Sequence, residues 1–241
     1  MIPVPQITDT GERILPEEET PLMIARHLCA YKFTKDYVYS KAVLDIGCGE
    51  GYGSFHLAGF AKEVVAIDYD RAIIDYAKNK YRANNLTFSA IDVKDLSSMG
   101  KQFDTACSFQ VIEHLAETSG FLESVKLLLK PDGVFICSTP NKQDASPHSV
   151  TPLNKFHLRE YLLDEYRELL KEHFNKINMF GLKRGHKLNL YRRLKKSGLF
   201  NFLPGQMNPV KRFYARIDCD NFKIVDNRLA TALDFIAVCR K

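Results

Sequence analysis

The sequence lacks both a hydrophobic run that could cross a bilayer and a start typical of an exported protein. No apolar stretch in the chain approaches the roughly 18 residues that a membrane-spanning helix needs. The first twenty residues contain neither the basic segment nor the apolar segment of an export signal. Of the 241 residues, 45% are hydrophobic and 26% are charged, as in ordinary globular proteins. We therefore expect a cytoplasmic protein with a single domain over residues 1–241.

The sequence also lacks a C-x-x-C pair, although it contains six cysteines. Zinc sites and redox motifs usually bring cysteines together at short spacing, whereas these are scattered along the chain. The pattern therefore favours free, buried thiols in a reducing compartment over a zinc site or a disulfide framework. The six residues are Cys29, Cys48, Cys107, Cys137, Cys219 and Cys239.

A glycine-rich stretch at residues 42–53, AVLDIGCGEGYG, is the most informative feature of the chain. No lysine follows its glycines, which excludes a phosphate-binding G-x-x-x-x-G-K-[ST] loop. A dinucleotide-binding G-x-G-x-x-G counted from Gly47 would need a glycine where Tyr52 stands, which argues against hydride transfer. The remaining pattern is D-x-G-x-G-x-G at a strand-to-helix turn, where open α/β sheets bind ligands. The alternative is a loop that only packs a helix on a strand.

Strands and helices are predicted to alternate from residue 41 onward. Such alternation is typical of a Rossmann-like, doubly wound α/β protein whose mostly parallel sheet has helices on both faces. A helix is predicted over residues 16–31, and later helices over 54–61, 70–82, 117–129 and 158–173, with a turn at 131–133. Strands are predicted at 42–46, 63–67, 86–91, 103–109, 134–138, 176–180 and 232–238.

From residue 42 to about residue 180 the chain resembles the class I S-adenosylmethionine-dependent methyltransferases. The matching pieces are VLDIGCGEGYGS, VVAIDYD, FDTACSFQVIEHL, LLKPDGVFICSTPN and NKFHLREYLLDEYRELLKEHF. The resemblance implies a seven-stranded sheet with an antiparallel last strand, and S-adenosylmethionine as the cofactor, released as S-adenosylhomocysteine. It is strongest toward small bacterial and archaeal enzymes that O-methylate glycans and related metabolites, and weaker toward ubiquinone-biosynthesis O-methyltransferases. In the glycan group a TGER-x-x-P leader folds over the cofactor, so residues 1–40 are a predicted lid with Glu12, Arg13 and His27 as candidates.

Acidic residues end three successive predicted strands, and the resemblance gives each of them a role. Asp45 would face the cofactor's ammonium group, Asp68 would accept the two ribose hydroxyls, and Asp92 would accept the adenine amino group. Each acid has an alternative role as a helix N-cap. The predicted cofactor-binding residues are Asp45, Gly47, Cys48, Gly49, Gly51, Asp68, Tyr69, Asp92, Val93 and Gln110.

Three residues are the catalytic candidates: Glu113 and His114 follow the fourth predicted strand, and His157 lies in the approach to the helix after the fifth. A hydroxyl acceptor must lose a proton, which calls for a base or a metal ion. We predict His114 as the general base, assisted by Glu113 and His157. The alternative is that Glu113 caps a helix and His114 is only a packed side chain.

A second resemblance bears on a metal ion. The metal-dependent 2′-O-methyltransferases that act on the 3′ end of small RNAs have E-x-x-E-H at this position and further histidines downstream. This chain has Gln110 in place of the first glutamate, and an amide is a poorer ligand than a carboxylate for a hard cation. The sequence therefore leaves open whether a divalent ion or a side-chain base activates the acceptor.

Residues 181–230 are predicted to form a basic insertion beside the substrate. Its part 181–216 carries ten Lys or Arg residues and no Asp or Glu, and includes an amphipathic helix ending near Gly198. Such a segment is suited to an anionic small-molecule or glycan acceptor, to peripheral contact with a membrane surface, or to RNA. It could equally be a solvated hairpin that covers the sheet.

The favoured function is O-methylation of a hydroxyl on a small-molecule, glycan or lipid-linked sugar acceptor. One alternative is ribose 2′-O-methylation of RNA, although no aromatic stacking module of the usual RNA-binding kinds is visible. Another is a catalytically silent protein that binds S-adenosylmethionine.

Overall fold

The structure is a computed structural model, and it describes residues 20–241. Within that range no helix is long and apolar enough to cross a membrane. The α-helices are α1 (Pro21–Phe33), α2 (Lys35–Val38), α3 (Tyr52–Ala58), α4 (Arg71–Lys80), α5 (Thr118–Leu128), α6 (Lys142–Ala145), α7 (Leu163–Lys171), α8 (His186–Ser197) and α9 (Pro209–Tyr214).

All the strands belong to one sheet with the order β3-β2-β1-β4-β5-β8-β6-β7. Neighbours from β3 to β5 run parallel, while β8 is antiparallel to both β5 and β6, and β7 is antiparallel to β6. The strands are β1 (Ala42–Ile46), β2 (Glu63–Asp68), β3 (Leu86–Ala90), β4 (Phe103–Phe109), β5 (Leu129–Pro140), β6 (Lys176–Arg184), β7 (Phe222–Val225) and β8 (Asp234–Arg240).

The predicted α/β class, the mostly parallel sheet and the antiparallel last strand are confirmed, but the number of strands was wrong. The sheet has eight strands rather than seven because residues 222–225, predicted to lie in the insertion, pair with residues 181–184 of β6. β6 itself continues to Arg184, four residues beyond its predicted end. A strand of four residues is too short for its alternation to be distinguished from a loop.

Helices cover both faces of the sheet, as predicted for a doubly wound fold. On one face, α5 and α7 bury Leu122, Val125 and Leu170 against the strands. On the other, α1 and α3 bury Tyr31 and Leu57 against β1 and β4. The described cysteines are free thiols, and five of the six are buried, as the scattered spacing predicted.

The predicted turn at residues 131–133 is a bulge inside β5. Phe103 pairs with Leu129 and Thr105 with Val134, so β5 contains extra residues there. Asp132 within the bulge has a positive φ of 62°. The bulge lies near the start of β5, at the other end of the strand from Pro140, which lines a cavity described below.

Gly53 allows the close packing of α3 on α1, and this contact can be tested. A Cβ at residue 53 would lie 2.1–2.4 Å from ring atoms of buried Tyr31. We expect Gly53→Ala to lower the free energy of unfolding by about 1–3 kcal/mol through overpacking. Gly120→Ala is the matched control because its added Cβ meets no atom within 4 Å. Urea unfolding of both variants measures the difference, and equal stabilities would contradict it.

Candidate functional site

A cavity of about 680 Å³ opens at the carboxyl edge of the parallel strands. It contains the segments that follow β1, β2, β3, β4 and β5, because parallel strands end at the same edge. Two predicted residues, Asp45 and Gly51, do not line the cavity. The predicted residues that line it are His27, Gly47, Cys48, Gly49, Asp68, Tyr69, Asp92, Val93, Gln110, Glu113, His114 and His157.

The glycine loop winds against the end of β2. The backbone N–H groups of Gly47 and Cys48 both donate to the carbonyl of Ile67, at 2.8 and 2.9 Å. Gly51 then starts α3 with a φ of +89°, and a Cβ there would lie 2.6 Å from the Phe88 ring. Only glycine fits this position without strain. Gly51 therefore shapes the loop from behind while Gly47 and Gly49 border the cavity.

Asp68 lies at the end of β2 with its carboxylate held by the backbone. Its Oδ2 accepts from the N–H of Gly49 at 3.1 Å, and its Oδ1 accepts from the N–H of Asp70 at 3.0 Å. A carboxylate is an acceptor with about four lone-pair directions, which makes it the kind of group that binds hydroxyl donors. Asp68 does not cap α4, because Asp70 does so.

Asp92 caps a helix and also lines the cavity. Its Oδ1 accepts from the N–H of Lys94 at 3.0 Å and so caps a short 3-10 helix. The same residue lines the cavity beside Val93. Capping therefore fixes the side chain at the cavity wall without excluding a ligand contact.

Asp45 lies behind the glycine loop and is fully buried. Ser54 Oγ donates to its Oδ2 at 2.6 Å, and the Tyr31 hydroxyl donates to its Oδ1 at 3.4 Å. Burial raises the pKa of the Asp45 carboxyl to about 7, opposed by those two hydrogen bonds. Its only route to the cavity among these contacts is through Tyr31, which lines the cavity wall.

Glu113 follows β4 and lines the cavity, and its carboxyl is fully buried. Its Oε2 accepts from Thr139 Oγ1 at 3.1 Å, and its Oε1 has no hydrogen-bond partner among the described residues. Burial raises the pKa of the Glu113 carboxyl to about 8. Its backbone carbonyl accepts from the N–H groups of Leu158 and Arg159, which fixes the later loop against it. The alternative of a helix cap does not apply, because no side-chain cap precedes α5.

His114 and His157 lie edge-on to each other with ring centroids 5.0 Å apart. His114 Nδ1 is 2.9 Å from the carbonyl oxygen of Phe156. His157 Nδ1 is 2.8 Å from Glu160 Oε1, and its Nε2 is 2.9 Å from Asn154 Nδ2. Because a carbonyl or carboxylate oxygen only accepts, each Nδ1 carries the proton and each Nε2 the lone pair of the neutral ring. The structure therefore brings together the two histidines that the sequence separated by 43 positions.

Glu113, His114 and His157 also satisfy the geometry of a cation site. Each offers one ligand atom, and these atoms lie within 4.8 Å of one another. Nδ1 of each histidine is held by an oxygen, an arrangement that commonly orients metal-binding imidazoles. The acceptor oxygen of Glu113 without a partner is the third donor. The three ligand atoms are therefore close enough for a divalent ion, which would displace the contact of Asn154 Nδ2 with His157 Nε2. The amide Nε2 of Gln110 donates to Ser138 Oγ at 3.2 Å.

The wall formed by α1 contains one of the predicted lid candidates together with other residues. His27 lines the cavity, and burial lowers its pKa to about 4. The same helix contributes Met23, Arg26 and Tyr31. Arg26 Nε donates to Asp234 Oδ2 at 2.8 Å and so attaches α1 to β8. The other lid candidates, Glu12 and Arg13, lie outside the described residues.

Sequence reasoning missed the partners of His157. Asn154 and Glu160 stand three residues before and after it, and both line the cavity. The N-x-x-H-x-x-E spacing was a usable signal, since polar residues evenly placed around a histidine often fix its orientation. Arg26 and Tyr31 gave no such signal, because their roles depend on residues far away in the sequence.

Comparisons with known proteins agree with this fold. The family model described as Methyltransferase domain matches residues 39–183. A "Probable S-adenosylmethionine-dependent methyltransferase" from Mycolicibacterium smegmatis is 36% identical over 163 residues, which are 67% of this chain and 63% of that protein. A ubiquinone biosynthesis O-methyltransferase from Cereibacter sphaeroides is 34% identical over 106 residues, which are 43% of each chain. The chain thus spans less than two thirds of the length of these relatives.

Among solved structures, the N-methyltransferase NodS from Bradyrhizobium japonicum in complex with S-adenosyl-L-homocysteine has a similar fold. The TM-score is 0.62 at 15% identity, covering 94% of this chain and 90% of that one. At this identity the likeness concerns the fold alone. Fold and family model together define a methyltransferase domain. The chain belongs to the class I S-adenosylmethionine-dependent methyltransferases, as the glycine motif predicted.

The pKa of Asp45 predicts a specific pH dependence of stability. A carboxyl whose pKa is raised in the folded state, here to about 7, binds more protons there than in the unfolded state. The free energy of unfolding therefore falls as pH rises from the ordinary aspartate pKa toward 7, by at most about 1.4 kcal/mol per pH unit. We expect Asp45→Asn to remove this loss.

Urea unfolding at several pH values in that window measures the difference between wild type and Asp45→Asn. Exposed Asp164→Asn is the control and should leave the wild-type slope unchanged. Parallel pH profiles of wild type and Asp45→Asn would show that Asp45 is not protonated in the folded protein.

Proposed function

We propose that this protein transfers the methyl group of S-adenosylmethionine to a hydroxyl of a small-molecule, glycan or lipid-linked sugar acceptor. The observation that carries the proposal is a single cavity lined both by the glycine loop with Asp68 and by Glu113, His114 and His157. A cofactor held by the loop and an acceptor held by the histidines would therefore share one cavity. The family of the chain supports S-adenosylmethionine as that cofactor.

The cofactor-binding roles follow from the donors and acceptors of the wall. Asp68 would accept the ribose hydroxyls, because its carboxylate acts only as an acceptor and the residue lines the cavity. Asp92 and the backbone of Val93 would border the adenine, and the loop at Gly47 and Gly49 would border the methionyl group. Asp45 does not line the cavity and would act on the ammonium through Tyr31, whose hydroxyl donates to it.

The transfer step needs alignment and the loss of one proton. The acceptor oxygen attacks the methyl carbon, a C–O bond forms, the S–C bond breaks, and its electron pair stays on sulfur as S-adenosylhomocysteine. The hydroxyl proton passes to His114 Nε2, whose lone pair is set by the Nδ1 bond to Phe156. Alignment of the reactants can supply roughly 7–11 kcal/mol of the acceleration. Ionisation of neighbouring Glu113 would stabilise the imidazolium that forms.

A divalent cation is the second way in which this cluster could act on the hydroxyl. Glu113, His114 and His157 would hold it, and it would lower the pKa of the acceptor hydroxyl. The two routes make opposite demands on His114, as a proton acceptor or as a ligand. Chelation therefore distinguishes them.

An oxygen acceptor is favoured over a nitrogen acceptor by the same cluster. A neutral amine already has a reactive lone pair, whereas a hydroxyl needs help to lose its proton. Two imidazoles and a carboxyl at the cavity wall are the groups that give such help. The O-methyltransferase relative is consistent with this acceptor class.

Removal of the Asp68 carboxylate tests the cofactor assignment. We expect Asp68→Ala to weaken S-adenosylhomocysteine binding at least tenfold, because two hydroxyl acceptors and a brace of the Gly49 loop are lost together. Isothermal titration calorimetry measures the affinity. Asp164→Ala, exposed on α7, is the control. Undiminished binding by Asp68→Ala would refute this placement of the ribose.

Replacement of His114 tests the transfer step. Radiolabelled methyl transfer into fractionated host extract should fall by about 10²–10⁴-fold in His114→Ala, the usual range for a lost general base. His56→Ala, which lies on α3 outside the cavity, is the control. Full transfer by His114→Ala would exclude both proposed roles.

The same assay with EDTA separates base from metal. Unchanged turnover in EDTA assigns the proton to His114, whereas loss of turnover that Mn²⁺ restores assigns a cation to the cluster. Binding of S-adenosylhomocysteine without transfer to any fraction would instead support a silent cofactor-binding protein.

A further inference from the structure

The basic helical hairpin, residues 186–216, consists of α8, a connecting turn and α9. Tyr191 and Phe213 stack with ring centroids 4.0 Å apart and hold the two helices together. Asn208 clasps the turn, since its Nδ2 donates to the carbonyl of Phe200 at 2.7 Å and its Oδ1 accepts from the N–H of Val210 at 2.9 Å. The turn is therefore a built structure with a defined outer surface.

Large apolar side chains point into solvent from this turn. Leu199 is 58% exposed, Phe202 is 79% exposed and Met207 is 65% exposed. Hydrogen bonds within the turn hold its backbone in place, since the N–H groups of Met207 and Asn208 both donate to the Pro204 carbonyl. Three such side chains on one short turn form an apolar tip, a feature that usually marks an interaction surface.

Basic side chains surround this apolar tip on both helices. The hairpin contains no acidic residue, so its field has one sign. Aromatic rings pack beneath two of the cations, with Lys187 over Phe213 and Lys195 over Tyr214. The exposed basic residues are Lys187, Arg192, Arg193, Lys195, Lys196, Lys211, Arg212 and Arg216.

The base of the hairpin is fixed to the wall of the cavity. Leu188 packs in one buried cluster with Ala25 and Cys29 of α1. Arg184, just before the hairpin, pairs with Asp144 of α6 at 3.3 Å. Because β6 runs parallel to β5, the hairpin leaves the sheet at the edge that carries the cavity.

We propose that the hairpin docks on an anionic phospholipid surface, with Leu199, Phe202 and Met207 entering the interface and the basic side chains meeting the headgroups. An apolar tip within a collar of Lys and Arg matches the polarity profile of that interface. A nucleic-acid backbone would use the cations but would leave exposed leucine and methionine without a role. Docking would hold the cavity near the bilayer, so the acceptor of the proposed methyl transfer would be a lipid-linked molecule. The docking itself does not depend on that reaction.

The absence of tryptophan from the chain makes docking directly measurable. Phe202→Trp places the sole indole at the tip. With vesicles of phosphatidylcholine and phosphatidylglycerol, we expect a blue shift and stronger emission, and neither change with phosphatidylcholine alone. Leu127→Trp is the matched control, because Leu127 on α5 is 64% exposed away from the hairpin. A shift in both variants, or in neither, would overturn the proposal.

Vesicle co-sedimentation of the full chain then separates the contribution of the apolar tip from that of the basic side chains. The triple variant Leu199→Ser, Phe202→Ser, Met207→Ser and the double variant Arg192→Glu, Arg193→Glu should each bind at least tenfold more weakly than wild type. Lys78→Glu with Lys171→Glu matches the charge change elsewhere and should bind as wild type does. Added salt should weaken binding through screening of the charges.

Two further results keep docking distinct from methyl transfer. Circular dichroism melting must show that the variants fold, and calorimetry must show that they bind S-adenosylhomocysteine as wild type does. Wild-type binding by the triple variant, or binding to single-stranded RNA without binding to vesicles, would overturn membrane docking. If the wild-type protein does not bind S-adenosylhomocysteine, the proposed function is refuted. The result with vesicles would still hold, because it does not depend on the cofactor.

Discussion

The shared edge at which β1, β2, β4 and β5 end is the constraint on which the site depends. Parallel strands deliver the residues that follow them to one place, whatever their separation in the sequence. The hydrogen bonds of Gly47 and Cys48 to the Ile67 carbonyl fix the glycine loop to its neighbour at that edge. The bonds from Leu158 and Arg159 to the Glu113 carbonyl attach the later histidine loop in the same way. Backbone hydrogen bonds thus hold both loops at the edge where the cavity lies.

Two buried carboxyls, Asp45 and Glu113, set the electrostatics of the site. Burial raises the pKa of both, to about 7 and about 8. Each would therefore gain most from a positive charge placed beside it, because ionisation in a low dielectric needs a counter-charge. The cofactor carries an ammonium and a sulfonium, and the proposed acceptor reaction would generate an imidazolium or use a cation. The protein thus keeps acidic groups whose charge state responds to what the cavity holds.

Sequence patterns predicted the central sheet because its signals are local. An apolar run ending in an acid and a glycine turn is contained within about a dozen residues, as in 42–53. β7 was missed because four residues carry too little pattern, and its pairing with β6 joins segments about forty residues apart. The position of Asp45 behind the loop depends on Ser54 and Tyr31, which no spacing rule connects to it. The meeting of His114 with His157 was predicted from their positions after β4 and β5, whereas the N-x-x-H-x-x-E spacing that indicates Asn154 and Glu160 was overlooked.

The position of β8 between β5 and β6 has a consequence for how the chain folds. Among the described strands, β8 is the one that joins β6 and β7 to the parallel part of the sheet, β1 to β5. β8 follows them in the sequence. During synthesis β1 to β5 can therefore pair with one another first, whereas β6 and β7 can join that part of the sheet only after β8 has been made. Pairings between distant segments slow folding, because the chain loses the entropy of loop closure before the stabilising contacts form. A ribosome-bound chain would therefore pass through a stage in which the glycine loop is formed and the edge with the hairpin is not yet attached.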